Sequence, residues 1–309
     1  MERVLISGGN GFLGSHLAEK CVSEGMDVTI VDDFSTSKGI NVPPGVRIIR
    51  KRIENTHLSG RYHYIIHFAA RPSPEDYVSN PVETLLSNST GTLNMLETAR
   101  ESNAVFLYTS SSEIYGNATV IPTPETYYGF VNSTGPRSCY DEGKRFSESL
   151  IMAYYRKYGI DARMQRPFNV YGPRIRPDGQ YGRVVPRFIL QALKNDKITI
   201  HGDGLQTRSF LHVSDWLKAT WLMLTADGIA GETFNVGSDK EITILNLANM
   251  IVDLIKSGSE IAHLDSRTDD PRRRAADITK IKNALRWRPT VSLSEGLRNV
   301  TEWIRNTIS

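Results

Sequence analysis

Cysteine is scarce in this sequence. The 309 residues include two, Cys21 and Cys139, too few for a disulfide framework. Neither falls in a metal-ligand spacing, so no metal site is expected, and Cys21 reads as a packed apolar residue of a helix. Long apolar runs are missing, and the chain opens into a strand-like segment without a basic and then apolar leader. Neither a membrane span nor a signal peptide is expected, which leaves the cytoplasm as the expected location. An excess of one charge is missing too. Thirty-seven Lys and Arg face 34 Asp and Glu, a net charge of +3, so no strong field points to nucleic acid or an anionic membrane. Repeats and low-complexity tracts are absent. The length suits one large or two modest domains.

What is present begins at the first residues. "RVLISGGNGFLGSHLAEK" reads as a short strand, Val4 to Ile6, a glycine-rich turn, and an amphipathic helix from about Phe12. Gly8 permits a tight turn, Gly11 lets a pyrophosphate approach the backbone, and Gly14 lets helix and strand pack closely. Phosphates would then sit at the positive end of the helix. A second strand, "DVTIVDD", ends in an acid after the appropriate interval. Asp32 can accept both hydroxyls of an adenosine ribose and would repel a 2′-phosphate, so NAD is expected rather than NADP.

Strands and helices alternate through the first half. Strands are expected at 46–50, 64–70, 105–111 and 161–166, and helices near 82–101 and 138–158. That alternation predicts an α/β fold with a doubly wound parallel sheet whose ligands lie at the carboxyl ends of the strands. Ala69 and Ala70, Ser110 to Glu113, and Pro167 to Asn169 fall at such ends. After about residue 167, Pro167, Pro173, Pro177 and Pro186 break the pattern, which suggests a smaller C-terminal lobe. The predicted division is a dinucleotide-binding domain over 1–169, with a return near 233–258, and a substrate lobe from 170–232 and 259–309. "TFNVGS" at 233–238 is expected to rejoin the main sheet or its flank. The basic stretch "RIIRKR" at 47–52 reads as a solvated edge, and His67 as structural.

Residues 138–146, "SCYDEGKRF", place Tyr140 and Lys144 four apart, on one face of a helix. A free phenol titrates near ~10, so lowering it to ~7 takes roughly 4 kcal/mol, which a neighbouring cation and a bound cationic cofactor can supply. The pair reads as a catalytic base.

Taken together with "GTLNMLE", "EIYG", "RPFNVYGPR", "GDGLQTRSF", "NVGS" and "LRWRP", these features resemble the extended short-chain dehydrogenase/reductases that act on nucleotide sugars. "SSSEIYG", "GPRSCYDEGKR" and "DDPRRRAADITK" are most similar to the UDP-glucuronate decarboxylases among them. The resemblance implies a Rossmann domain with a smaller α/β substrate lobe, a UDP-sugar substrate and a homodimer built on the helices near 82–101 and 138–158. It implies NAD contacts from Gly8, Gly11, Phe12, Leu13, Gly14, Asp32 and Asp33. Further contacts would come from Ile53, Ala69, Ala70, Ser110, Tyr140, Lys144 and Pro167. It implies catalytic roles for Tyr140, Lys144, Ser111, Glu113 and Arg274, and substrate contacts from Arg71, Ser112, Tyr115, Asn169, Val184, Arg208 and Arg274. Arg273 is one register from Arg274, and the choice between them stays open. Departures from the family pattern include Arg71-Pro72-Ser73-Pro74 where Pro-Ala-Ser-Pro is usual and Arg52 where an aspartate would face the adenine.

The implied reaction is NAD-dependent oxidation at C4, loss of CO₂ from the 4-keto acid and re-reduction. A UDP-sugar 4-epimerase, favoured by the 177–188 loop, is the alternative, and a 4,6-dehydratase is third. A dehydratase would carry Asp-Glu where this chain has Ser112-Glu113. A non-catalytic NAD sensor on the same fold is a fourth reading, opposed by the joint presence of Ser111, Tyr140 and Lys144.

Overall fold

A computed structural model describes residues 1–37, 39, 41–177, 183–266 and 271–308. Residues 178–182 of the loop that favours an epimerase lie outside that range. The chain divides into two compact units. The first is Met1–Ile114, Asn132–Arg166 and Ala219–Phe234, and the second is Tyr115–Val131, Pro167–Lys218 and Asn235–Ser309.

The first unit begins with β1 (Arg3–Ser7), α1 (Phe12–Ser23), β2 (Asp27–Asp32), β3 (Arg47–Arg50) and β4 (Tyr64–His67). Helices α2 (Pro74–Ser79), α3 (Pro81–Asn88) and α4 (Thr90–Ser102) follow, then β5 (Val105–Thr109), α5 (Ser138–Tyr158) and β6 (Ala162–Pro167). From β3 to β6 the strands stand in the order 3-2-1-4-5-6 within a seven-stranded sheet, closed beyond β6 by the strand Thr233–Val236. Each adjacent pair from β3 to β6 is parallel. This is the doubly wound order whose direction of winding reverses between β1 and β4, where dinucleotides bind. The return of "TFNV" to the sheet agrees with the sequence. Leu5, Val31, Ile65, Met95, Leu96, Phe106, Ile151 and Met164 pack together as the core of this unit.

The helix expected over 82–101 is two helices. Prolines open α2 and α3, where a missing N–H costs nothing. The break falls at Ser89, whose backbone leaves helical geometry and whose hydroxyl donates to the Leu85 carbonyl at 2.7 Å. The strands expected to run to 70 and 111 stop at His67 and Thr109. Helix α5 matches its expected bounds and ends on Gly159 in the left-handed conformation that suits glycine.

The second unit is built from short strands and helices. In chain order they are β7 (Val170–Tyr171), α6 (Val184–Leu193), β8 (Ile198–His201), β9 (Thr207–Ser209), β10 (Leu211–His212) and α7 (Val213–Thr225), whose last residues belong to the first unit. Then come β11 (Thr233–Val236), which is the seventh strand of the main sheet, and β12 (Glu241–Thr243), α8 (Ile244–Ile255), β13 (Ile261–Leu264), β14 (Arg273–Arg274), α9 (Thr279–Leu285) and α10 (Leu293–Ile308). Val185, Phe188, Ile189, Leu247, Ile251, Val300 and Ile304 form its core between α6, α8 and α10. Asp215, fully buried, accepts from the Thr290 and Val291 amides at 2.7 Å each and fixes the chain ahead of α10 to α7.

Candidate active site

The glycine turn after β1 leaves no room for side chains. Gly8 has φ +66°, and a Cβ on it would lie 2.8 Å from the Ala69 amide nitrogen. A Cβ on Gly14 would lie 2.2 Å from the Gly8 carbonyl oxygen, and one on Gly11 3.2 Å from the same atom. The turn is tied down by Gly8 N–H donating to Val31 O at 2.8 Å. Helix α1 starts at Phe12, so the amides of Phe12 and Leu13 are among first-turn donors that a helix cannot satisfy internally. Asp32 closes β2, and its carboxylate accepts from the Asn10 amide at 2.9 Å and the Phe34 amide at 2.8 Å. Burial raises its pKa, against the lowering effect of those two amides. Each oxygen keeps a lone pair for a ribose hydroxyl. Shape and donor chemistry together fit a dinucleotide.

Asn10 was not anticipated from the sequence. It is fully buried, donates to Ser37 Oγ and the Gly39 carbonyl at 2.8 Å each, and accepts from the Asn41 amide. It pins the loop after β2 against the glycine turn. Only its place inside the glycine motif could have drawn attention to it.

At the ends of β4 and β5 the structure gathers the expected catalytic side chains of the first unit. Lys144 is buried, its ammonium donating to the Thr109 carbonyl at 2.8 Å and lying 5.9 Å from the Tyr140 ring centroid. Burial pushes its pKa down to about 7, with Glu148 opposing. The cation that would lower the tyrosine is therefore only marginally retained by itself. An anion beside it, such as a phenolate, offsets the loss of hydration and restores the charge. Tyr140 is itself buried and stacks on Tyr77, centroids 5.1 Å apart and planes 7° from parallel. The Tyr77 hydroxyl is buried and has no hydrogen-bond partner among the described residues.

Ser111 Oγ accepts the Glu113 amide at 3.2 Å, which shapes the short turn Ser112–Tyr115. Buried beside it, Ser110 has a hydroxyl with no partner among the described residues, the kind of atom a ligand satisfies. Glu113 is held by Arg137 at 2.5 Å, and Arg137 also lies 3.8 Å from Asp141 and over the Tyr77 ring. Arg137 and Tyr77 were missed from sequence, although Arg137 lies in one of the strings that carried the resemblance. Arg71 is paired with the buried Asp76 at 2.7 Å. Ile53 is buried in a short turn after β3, and Ala69 donates to Ser7 Oγ at 3.3 Å. Asp33 accepts the Ser35 amide and lies 3.7 Å from Arg52. His67 is fully buried, bonded to Ser7 Oγ at 2.7 Å and Thr92 Oγ1 at 3.1 Å. Burial and the Lys144 charge push its pKa down to about 3, so it stays neutral.

The other expected residues belong to the second unit. Arg208 and Arg274 are register partners across the parallel pair β9–β14 and are both buried, which puts their side chains on one face of that sheet. Arg273 points the other way, exposed, and pairs with Glu241 at 2.7 Å. That contrast separates the two arginines the sequence left undecided. Asn169 sits at φ +43° and donates to the Ser209 carbonyl at 2.9 Å. The Tyr115 hydroxyl is buried against Asn235 Oδ1 at 2.7 Å. Pro167 ends β6 and Val184 opens α6.

Residues 4–237 match the model of the NAD dependent epimerase/dehydratase family. The chain belongs to this family. It is 40% identical to UDP-glucuronic acid decarboxylase 1 of Xenopus tropicalis, over 99% of this chain and 73% of that protein. To UDP-glucuronic acid decarboxylase 5 of Arabidopsis thaliana it is 43% identical, over 98% of this chain and 89% of the other. Among solved structures it resembles the UDP-glucose 4-epimerase of Thermotoga maritima with UDP-glucose, with TM-score 0.92, 30% identity, and 99% and 100% of the two chains covered. It also resembles the UDP-glucuronic acid 4-epimerase of Bacillus cereus in complex with UDP-glucuronic acid and NAD, with TM-score 0.89, 28% identity and 99% of each chain covered.

Proposed function

We propose that this protein is an NAD-dependent UDP-glucuronate decarboxylase that yields UDP-xylose. The observation that carries the reading is the similarity, at 40–43% identity over nearly the whole chain, to several UDP-glucuronic acid decarboxylases. Glu113 after Ser111-Ser112 and the buried Arg274 support it.

Gly8, Gly11, Gly14, Asp32 and the first-turn amides of α1 would hold NAD, which when bound supplies the hydride acceptor and later the donor. Tyr140 takes the proton of the sugar 4-hydroxyl, and Ser111 donates a hydrogen bond to the same oxygen. Lys144, one turn along α5, holds the developing phenolate. Oxidation leaves a 4-keto group β to the C5 carboxylate. The bond from C5 to the carboxyl carbon breaks, CO₂ departs, and the electron pair moves into the C4 carbonyl. Tyr140, now a phenol, and Ser111 donate to that oxyanion. Glu113, fixed by Arg137, is assigned to C5, where a proton then arrives. Arg208 and Asn169 are assigned to the diphosphate, for which a planar guanidinium is suited, and Arg274 to the substrate's acidic group.

A homodimer through α3, α4 and α5 is part of this proposal. The 4-epimerase reading keeps one specific support, the solved 4-epimerases that share this fold over the full chain. Incubation with UDP-glucuronate separates the two. The decarboxylase releases CO₂ and gives a pentose product. A product of unchanged mass inverted at C4 would replace the decarboxylase with the epimerase.

A further inference from the structure

One turn beyond Lys144 stands an ion pair that the proposed reaction does not use. Glu148 follows Lys144 by four positions on α5, so the two side chains share a face of the helix. The Glu148 carboxylate is buried and is held from β6 by Arg166, whose Nε donates to Oε1 at 2.9 Å and whose Nη2 donates to Oε2 at 2.6 Å. This is the bidentate geometry of the stronger charge-assisted pairs. Joining a helix to a strand does not call for it, since well-packed apolar residues do that as well or better.

Lys144 supplies a reason for charge at that place. Its ammonium is buried, and the Thr109 carbonyl takes one of its three donors. The other elements around it bring neutral groups. From β5 the Tyr108 ring offers its face, 4.7 Å from the ammonium, and its raised pKa keeps it a phenol. From β4 comes His67, also neutral. Helices α3 and α4 bring Asn88 against Gly143 and Thr92 bonded to Ser147 at 3.1 Å. Asp141, next to Tyr140, lies 3.8 Å from Arg137. Glu148 is the group whose charge opposes the effect of burial on Lys144. Because Arg166 engages both of its oxygens, the carboxylate acts on the ammonium through its field and leaves the lysine's other donors to a phenolate.

We propose that Glu148 is the counter-charge that keeps Lys144 an ammonium, and that Arg166 sets how strongly it does so. Both are positioning residues that act through Lys144. The inference rests on the assignment of Lys144 to the Tyr140 phenolate and is independent of which sugar is processed. The two ends of the pair then have opposite effects. Without the carboxylate the ammonium is less favoured, and its proton is lost at lower pH. Without the guanidinium the carboxylate is left to the lysine, and the proton is lost at higher pH. A merely structural clasp has no such asymmetry, because breaking it from either end breaks the same bonds.

The test is a carbon NMR titration of the cofactor-free protein carrying isotopically labelled lysine, with the Lys144 signal assigned by its loss in Lys144→Met. Glu148→Gln keeps the shape of the side chain and is expected to lower the Lys144 midpoint by about 1–2 pH units, the scale of one charge a helical turn away in a partly buried site. Arg166→Gln is expected to raise it by a similar amount, and Arg166→Lys, which keeps the charge, to stay near the wild type. With NAD⁺ and UDP-glucuronate supplied, the alkaline limb of turnover is expected to move in the same direction as the midpoint of each variant. An unchanged midpoint in Glu148→Gln, or shifts of one sign in both Gln variants, overturns the proposal. An Arg166→Lys midpoint as high as that of Arg166→Gln overturns the part given to the guanidinium charge. If Arg166→Gln does not fold, Glu148→Gln decides alone. Midpoints that move as expected while the alkaline limb stays in place support the counter-charge and refute the assignment of Lys144 to the phenolate.

Discussion

Tyr140 needs a cation, and the cation nearest to it along α5 is one that burial discourages. Lys144 has its pKa depressed to about 7 by desolvation, so the charge that stabilises a phenolate depends in turn on the phenolate. Two predictions follow from that coupling. Tyr140→Phe removes one hydroxyl from a stacked, buried ring and is expected to keep the fold and NAD binding while turnover falls by about 10²–10⁴-fold. Near-normal single-turnover reduction of NAD⁺ by the variant would refute the role. The second concerns pH. Between about pH 7 and ~10 the unfolded lysine binds a proton that the folded one does not, so the lysine's contribution to cofactor-free stability is expected to rise with pH across this window. The thiols of Cys21 and Cys139 from ~8.5, and the buried phenols of Tyr77 and Tyr108 above ~10, all with raised pKa, oppose that rise, because only the unfolded chain then loses their protons. Denaturant titrations at several pH values, compared between the wild type and Lys144→Met, isolate the lysine. A wild type that lost stability from pH 7 to 9, relative to the variant, would contradict the sign. The spacing of Tyr140 and Lys144 could be read directly, because a helix turns that spacing into adjacency. Arg137 and Tyr77 could not, because their relation to Glu113 and Tyr140 is made across separate elements.

The strands of the main sheet were legible as apolar runs, since a parallel sheet covered on both faces leaves little alternation in its strands. The glycine turn was legible for a stronger reason. Its residues are constrained by backbone approach, which no other side chain satisfies. Gly14→Ala puts a Cβ about where the Gly8 carbonyl oxygen already stands, with a 2.2 Å separation that backbone must absorb. The expected cost is ~1–3 kcal/mol or more, with loss of NAD binding, because the strained atoms form the phosphate turn itself. A thermal melt and a NAD⁺ titration check both parts, and an unchanged affinity would show that the turn is softer than its geometry. The break between α3 and α4 was not legible. It rests on local bonds from side chain to backbone, Ser89 to Leu85 O at 2.7 Å and Asn88 to Thr84 O at 2.8 Å, which hydrophobic periodicity does not display.

At the scale of the molecule, the second unit was the least legible part. Its core is assembled from α6, α8 and α10, and its strands of two to four residues pair across long separations, too short for any periodic signal. The apolar surface of the first unit is easier to interpret. Val82, Leu85 and Leu86 follow helical i, i+3, i+4 spacing on α3 and are 62%, 43% and 42% exposed. Leu93 on α4 and Phe146 on α5 are also exposed, and α3 packs against both of these helices. An apolar stripe of this kind on neighbouring helices marks an interaction surface. In the proposed homodimer it faces its own copy, as a two-fold interface requires. The wild type is expected to sediment as a dimer at micromolar concentration. Leu85→Glu combined with Leu86→Glu is expected to give a monomer, because a two-fold axis brings each introduced charge against its mate or into an apolar core. Both positions are solvent-exposed in the single chain, so the isolated unit should still fold, which circular dichroism and a retained NAD⁺ titration would show. A wild type that stays monomeric refutes the dimer. A dimer that survives the double substitution moves the interface to another face.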